Sequence, residues 1–305
     1  MKNIKVSSDR KPSPQHQLPV KPGFGGSLKG NLDFKRQLIV DNLPENPGLR
    51  VASYVSSSSK KKKKMRKIII MGLLTSLFSF SNGQTIYPTD HKLTMEERKD
   101  ATNKFLKQKG VPTLKSLPFV DDYTVAHFRD SKEVASKTVV LFGLLYVADN
   151  AKTPKEIISY FQKYNLWDYV SPKEREYLEK AERTKKENNQ ISWRIECINV
   201  LLWSLGHFDK LAFPTTMCDF SDYKDLPDLE NDPTDWIKKA KLRETEEILN
   251  ETDLIYRIDW AVTEASLNEK KIPAKINQEV VTERHYALNW LTMYEKEWDN
   301  ITTDT

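Results

Sequence analysis

The sequence predicts an all-α protein: a single multi-helix bundle of about eight helices around a central apolar helix, behind a disordered N-terminal extension. Three observations carry this reading. Helix start signals recur from Thr94 onward, and no sustained alternating β run is present. Ten Gly stand against seven Trp, twelve Tyr and twelve Phe, the balance of helices with aromatic cores rather than of a turn-rich β protein.

Thr94-x-x-Glu97 is a capping box, in which hydroxyl and carboxylate satisfy free backbone N–H groups reciprocally. Thr153-Pro154-Lys155-Glu156 and Ser171-Pro172-Lys173-Glu174 repeat it with Pro at the first helical position, where its missing N–H costs nothing. Asp232-Pro233-Thr234-Asp235 is a fourth start with an acidic cap, and Gly110 and Gly206 fit helix exits. These signals predict helices over 94–109, 131–149, 154–164, 172–187, 190–205, 233–249, 252–267 and 277–296.

Residues 191–205, ISWRIECINVLLWSL, are apolar on nearly every side, which marks the predicted central helix. Arg194 and Glu196 sit inside it, where charges are expensive. Two residues apart they point about 200° from each other on a helix, so each needs a partner from another element.

Ahead of the bundle, residues 1–64 hold six prolines, loop glycines at Gly23, Gly25 and Gly26, and a closing Ser56–Ser59, Lys60–Lys64 run. They read as a disordered basic extension, or as sequence upstream of the true start. Met65-Arg66-Lys67, the 13-residue apolar stretch Ile68–Phe80 and Ser81-Asn82-Gly83 have the three-part layout of a secretion signal over 65–83. The stretch is too short for an ordinary membrane span. A mature chain would then begin near Gln84, with a short linker over 84–93, an all-α domain over 94–305 and no stable membrane span. Export, to periplasm or exterior, is the expectation.

The whole-chain charge of +5 is unevenly placed: residues 1–64 carry +10 and residues 85–305 carry −7. An acidic folded part argues against a nucleic-acid partner. Cys197 and Cys218 cannot make a four-cysteine zinc site and form no C-x-x-C pair; Cys197 reads as a buried small hydrophobe.

FRDSKEVASKTVVLFGLLYVAD (128–149), ISWRIECINVLLWSLG (191–206), DLIYRIDWAVTEA (253–265), VTERHYALNWL (281–291) and WDNITTDT (298–305), with the KGVPTLKSLP lead-in at 109–118, resemble the domain-of-unknown-function 4272 family. The resemblance covers about residues 95–305. Lys137 stands where the family pattern implies arginine, keeping the charge without the bidentate fork. The resemblance implies a helical domain, no established activity and a cytoplasmic location. The residues themselves spell an export signal.

Glu283-Arg284-His285 is the most chemically loaded stretch. Glu283 or His285 could serve as a general base with Arg284 on an anionic group. Alternatively, Arg284 and Glu283 bond Glu196, Arg194 or a chain end and lock helix packing. Tyr256, Arg257, Asp259 and Trp260 form a second polar–aromatic group, in which Arg257 and Trp260 share a helix face suited to guanidinium–indole contact; it reads first as a half-buried helix seam, and alternatively as the lining of a pocket for an acidic ligand. Trp193 belongs to the same candidate network, and the Asp304-Thr305 tail could dock on an arginine. His127, His207 and His285 lack metal spacing, and Asp219, Asp222, Asp225, Asp228 and Glu230 lack the turn of a calcium loop. No metal or cofactor is implied, and no G-x-S-x-G, P-loop or dinucleotide fingerprint occurs. Two functions follow as expectations. The first is a non-enzymatic module for an unknown protein or small ligand. The second is a hydrolase using Glu283 and His285 with Arg194 in one cleft.

Overall fold

Capping chemistry sets where most helices begin. The computed structural model describes residues 86–88, 91–220, 227 and 229–305; the extension 1–64, the signal 65–83 and Asp222, Asp225 and Asp228 lie outside the described residues. Nine α-helices and no strand occur among the described residues: α1 (Met95–Gln108), α2 (Ser131–Ala148), α3 (Pro154–Lys163), α4 (Pro172–Glu179), α5 (Lys185–Trp193), α6 (Ile195–Ser204), α7 (Thr234–Lys239), α8 (Thr245–Leu267) and α9 (Gln278–Leu291). The boxes at Thr94, Thr153 and Ser171 close as predicted, with both the hydroxyl and the carboxylate leg made. Gly110 and Gly206 exit their helices with φ of 74° and 79°, where only glycine is unstrained.

Five predicted boundaries move. The helix expected over 172–187 ends at Glu179, where Lys180 turns extended and Arg183 donates to the carbonyls of Tyr177 and Lys180. A further capping box, Thr184 with Glu187, then starts α5. The stretch expected as one helix over 190–205 breaks at Arg194, so the wholly buried segment is α6 alone. The helix expected over 233–249 stops at Lys239, and Arg243 turns back to cap α6 by donating to the carbonyls of Trp203 and Phe208. Asp232 accepts the Thr234 N–H at 2.8 Å, but the cap position itself is Pro233. The interruption expected near 250 is absent, because the Thr252 hydroxyl donates to the Ile248 carbonyl at 2.8 Å and α8 runs on. The helix expected to reach 296 ends at Leu291.

α6 shares the centre of the core with α2, fifteen of whose eighteen residues are buried. α2 packs on α6, α5, α7 and α3, while α9 lies between α6 and α8, and α1 rests on α8. The position of α9 decides the rest: it meets α6 with one set of side chains and α8 with another. Residues 84–93 are more than a linker where described, since Leu93 is buried and the Tyr87 hydroxyl donates to the Asn250 carbonyl at 2.8 Å.

The C-terminal tail docks, though not on an arginine. Tyr286 donates its hydroxyl to the Trp298 carbonyl, and Asn289 donates to the Thr302 carbonyl at 2.8 Å. Trp298 packs edge-on against Trp290 and Tyr286 at 5.2 and 5.0 Å, and Ile301 is buried. Asp304 makes no ion pair among the described residues.

α3 crosses α2 at Gly143, where an added Cβ would meet Phe161 Cζ at 2.4 Å. Gly143→Ala should therefore cost about 1–3 kcal/mol through overpacking, despite the higher helix propensity of alanine. Urea unfolding reads this directly; a gain in stability would show that α3 is not seated there.

Candidate functional site

Two polar systems flank α9. The first joins it to α6. Arg284 donates from Nε to Glu196 Oε2 at 2.9 Å and from Nη1 to the Ala212 carbonyl. Both residues are essentially without solvent exposure, at 1% and 0%. The other Glu196 oxygen accepts the Cys218 N–H, and Asn199 donates to Oε2 at 3.3 Å, so the buried carboxylate is fully engaged. Arg194 pairs with Glu283 at 3.1 Å and lies over the Tyr286 ring at 4.2 Å. As the helix phase requires, Arg194 and Glu196 each find a partner on another helix.

Cys197 joins this system, which the sequence reading did not foresee. Burial first, and the adjacent Glu283 carboxylate second, hold its thiol well above the usual range. It stays protonated and donates to Glu283 Oε2 at 3.1 Å. Cys197 is thus a hydrogen-bonding member of the pair, beyond a small hydrophobe. Cys218 is likewise a free thiol.

The second system joins α9 to α8. His285 Nδ1 lies 2.9 Å from Asp259 Oδ2, and both side chains are buried. An ionised carboxylate can only accept, so Nδ1 carries the proton against Asp259; where the ring is neutral, Nε2 is then its acceptor. His285 also lines a cavity of about 450 Å³ between α8, α9, the 118–127 loop and the tail. Asp259 is not in that wall, so His285 bridges from the cavity to a carboxylate outside it. Leu249, Thr252 and Tyr256 come from α8, and Asn289, one turn beyond His285, from α9.

The structure does not gather the predicted hydrolase set. His285 faces the cavity, whereas Glu283 and Arg194 are outside its wall and bonded to each other. Arg257 does not stack on Trp260: it forks onto Asp253 at 2.9 and 2.7 Å, donates to the Pro118 carbonyl, and lies 5.9 Å from the Tyr256 ring. The Arg257–Asp253 pair is an i, i+4 bridge, legible from spacing alone. Trp260 packs against the core, and Trp193 is half-buried at the end of α5, outside both polar systems.

A second cavity, of about 390 Å³, lies beside Arg129, Lys137 and Arg175. These three cations are committed, while Lys296, also in the wall, is exposed. Lys137 donates to both Glu174 oxygens at 2.8 and 2.6 Å, sits over Trp298, and has its pKa lowered by burial against the pull of Glu174. Arg129 donates to Glu133 and to the carbonyls of Trp290, Glu295 and Lys296. Arg175 serves the carbonyls of Val170 and Trp167. Among the described residues no cluster of three metal-ligating side chains forms, and no helix is long and apolar enough to cross a membrane.

Residues 98–301 match the sequence model of a family described as Domain of unknown function (DUF4272). No curated protein and no solved structure matches the chain.

Glu251, half-buried on α8 near Arg284, has its carboxyl pushed up to about 7 by burial, against the opposing pull of the Arg284 guanidinium. An unfolded chain releases this proton near 4.5, so folding takes up a proton between about 4.5 and 7. Stability on this account is full below that window, falls as pH rises through it, and is level above. Glu251→Gln should remove the effect and gain roughly 1–2 kcal/mol over the parent at pH 8, with no gain at pH 4.5. Parallel pH–stability curves for the two proteins would contradict this.

Proposed function

The chain belongs to the Domain of unknown function (DUF4272) family, a premise that supplies no activity, and on it we propose that the protein is an exported, non-enzymatic module that binds a small ligand between α8 and α9. One observation carries the reading: a 450 Å³ cavity lined by a buried His285 whose Nδ1 is held by Asp259. Cavities of this size with a few convergent polar groups are the usual form of small-molecule sites. Export rests on the signal layout over 65–83.

The cavity rim supports the same reading. Of the large apolar side chains left exposed, Phe119, Met293 and Tyr294 belong to its wall, and Tyr123 and Val125 to the adjoining loop. Exposed apolar groups gathered at one mouth mark a contact surface. Met293 also holds a φ of 55° at the exit of α9, a position that glycine fills without strain.

The hydrolase reading keeps one observation, the carboxylate behind His285, which resembles the orienting half of a catalytic triad. The wall offers no Ser or Cys, and its Thr252 and Thr292 hydroxyls donate to the helix carbonyls of Ile248 and Leu288. The groups that would have held an anionic substrate are closed on each other beyond the wall. Binding without turnover therefore suits the geometry better.

Native mass spectrometry of protein purified from its own host should show a retained small molecule and a mature N-terminus near Gln84. Met293→Gly should raise stability by about 0.5–1 kcal/mol through relief of the left-handed backbone while reducing the retained fraction. A chain that carries no bound mass, and whose melting point no metabolite shifts, would remove the binding reading; an intact 65–83 segment on the host protein would remove export.

A further inference from the structure

Resting on the binding reading above, we infer that the α8–α9 cavity takes an organic ammonium: a small amine with an apolar or aromatic body. The inference comes from the polarity of every group the wall leaves uncommitted. His285, 2% exposed, lines the cavity, and with Nδ1 engaged by Asp259 the nitrogen left over is Nε2, an acceptor in the neutral ring. Asn289, 8% exposed, must direct its nitrogen at the Thr302 carbonyl, which can only accept, so its Oδ1 is the atom left over. These acceptors, one helical turn apart on two residues of the cavity wall, meet no protein donor among the described residues and are open to one from the cavity.

Charge points the same way. The wall contains Asp121 and Asp304 and no Lys or Arg. Neither carboxylate is ion-paired among the described residues, in contrast to the second cavity, where Arg129, Lys137 and Arg175 are committed to protein oxygens. Exposed His127 is the wall's other titratable side chain besides the tyrosines. An anion would meet two unpaired carboxylates, whereas an ammonium, with three N–H donors, would meet opposite charge and acceptors.

The apolar part of the wall suits the body of such a ligand. Tyr256 and Tyr294 present aromatic surface beside Met293, and aromatic faces attract cations. The neighbouring loop shows this preference within the protein: Lys99 Nζ lies 4.5 Å from the Phe119 ring and Lys92 Nζ 4.7 Å from the Tyr123 ring. The acidic balance of residues 85–305, net −7, would draw cations toward the domain.

The test uses three probes that share a body and differ in the head group: 2-phenylethylamine, 2-phenylethanol and phenylacetate. Each is titrated calorimetrically into the purified protein at neutral pH. The amine should bind at least about tenfold more tightly than phenylacetate, with the alcohol between. The double variant Asp121→Asn, Asp304→Asn, both exposed positions, should lose about fivefold or more for the amine and leave the alcohol unchanged. Phenylacetate binding as tightly as the amine, or an amine affinity indifferent to the double variant, would overturn the ammonium assignment and leave the binding reading standing. Failure of all three probes also overturns the assignment; the binding reading falls with it only if the host-purified protein carries no bound molecule.

Discussion

The buried pair of Arg284 and Glu196 is the constraint on which the arrangement of this bundle depends. It joins α9 to the most deeply buried helix, α6, in a place with no water to screen or replace either charge. Two ions there are tolerable only with near-complete hydrogen bonding. The protein meets that demand with backbone groups of the 205–220 segment: the Ala212 carbonyl for Arg284 and the Cys218 N–H for Glu196. The pair thereby fixes an irregular segment as well as a helix contact. Asn277, just ahead of α9, adds a bond from its N–H to the Pro214 carbonyl at 2.8 Å.

Once the α6 side of α9 is set, the opposite side has no freedom. Glu283 and Arg284 turn to α6, where they meet Arg194, Cys197 and Glu196, and the next residue, His285, turns to α8 and Asp259. Three consecutive polar residues thus serve two separate systems, one closed and one open to a cavity. The difference between them is the physical basis for reading one as architecture and the other as a site. In the closed system the charges and the thiol face one another, while in the open one His285 and Asn289 line a cavity. A slip of one residue in α9 would exchange these roles, so the site owes its geometry to the salt bridge across the helix.

Much of this was legible in the sequence, for reasons that differ by element. Helix starts were readable because a capping box is a local motif: Thr94, Thr153 and Ser171 each act with a residue three positions on. Thr184 carries the same signal, but it falls inside a stretch that periodicity alone joins into one helix. That Arg194 and Glu196 require partners from another element follows from helix phase. The break at Arg194 does not, since no proline or glycine marks it and tertiary pairing with Glu283 accompanies it. The Asp259–His285 contact spans two helices and depends on their rotation, which spacing does not encode. Cys197 read as apolar because a thiol shows its donor character only when a carboxylate is placed against it. The cavity, walled by two helices, a loop and the tail, is a property of assembly and has no sequence motif.

The central claim is that Arg284 and Glu196 act as one unit, tolerated only together. A thermodynamic cycle of Arg284→Met, Glu196→Met and the double variant, followed by chemical unfolding, tests it most directly. Each single substitution leaves an unpartnered buried charge and should cost about 3–5 kcal/mol, while the double variant, with neither charge, should recover most of that loss. Singles that are nearly neutral, or losses that simply add in the double variant, would show that the two charges are not coupled and that α9 is held in register by something else.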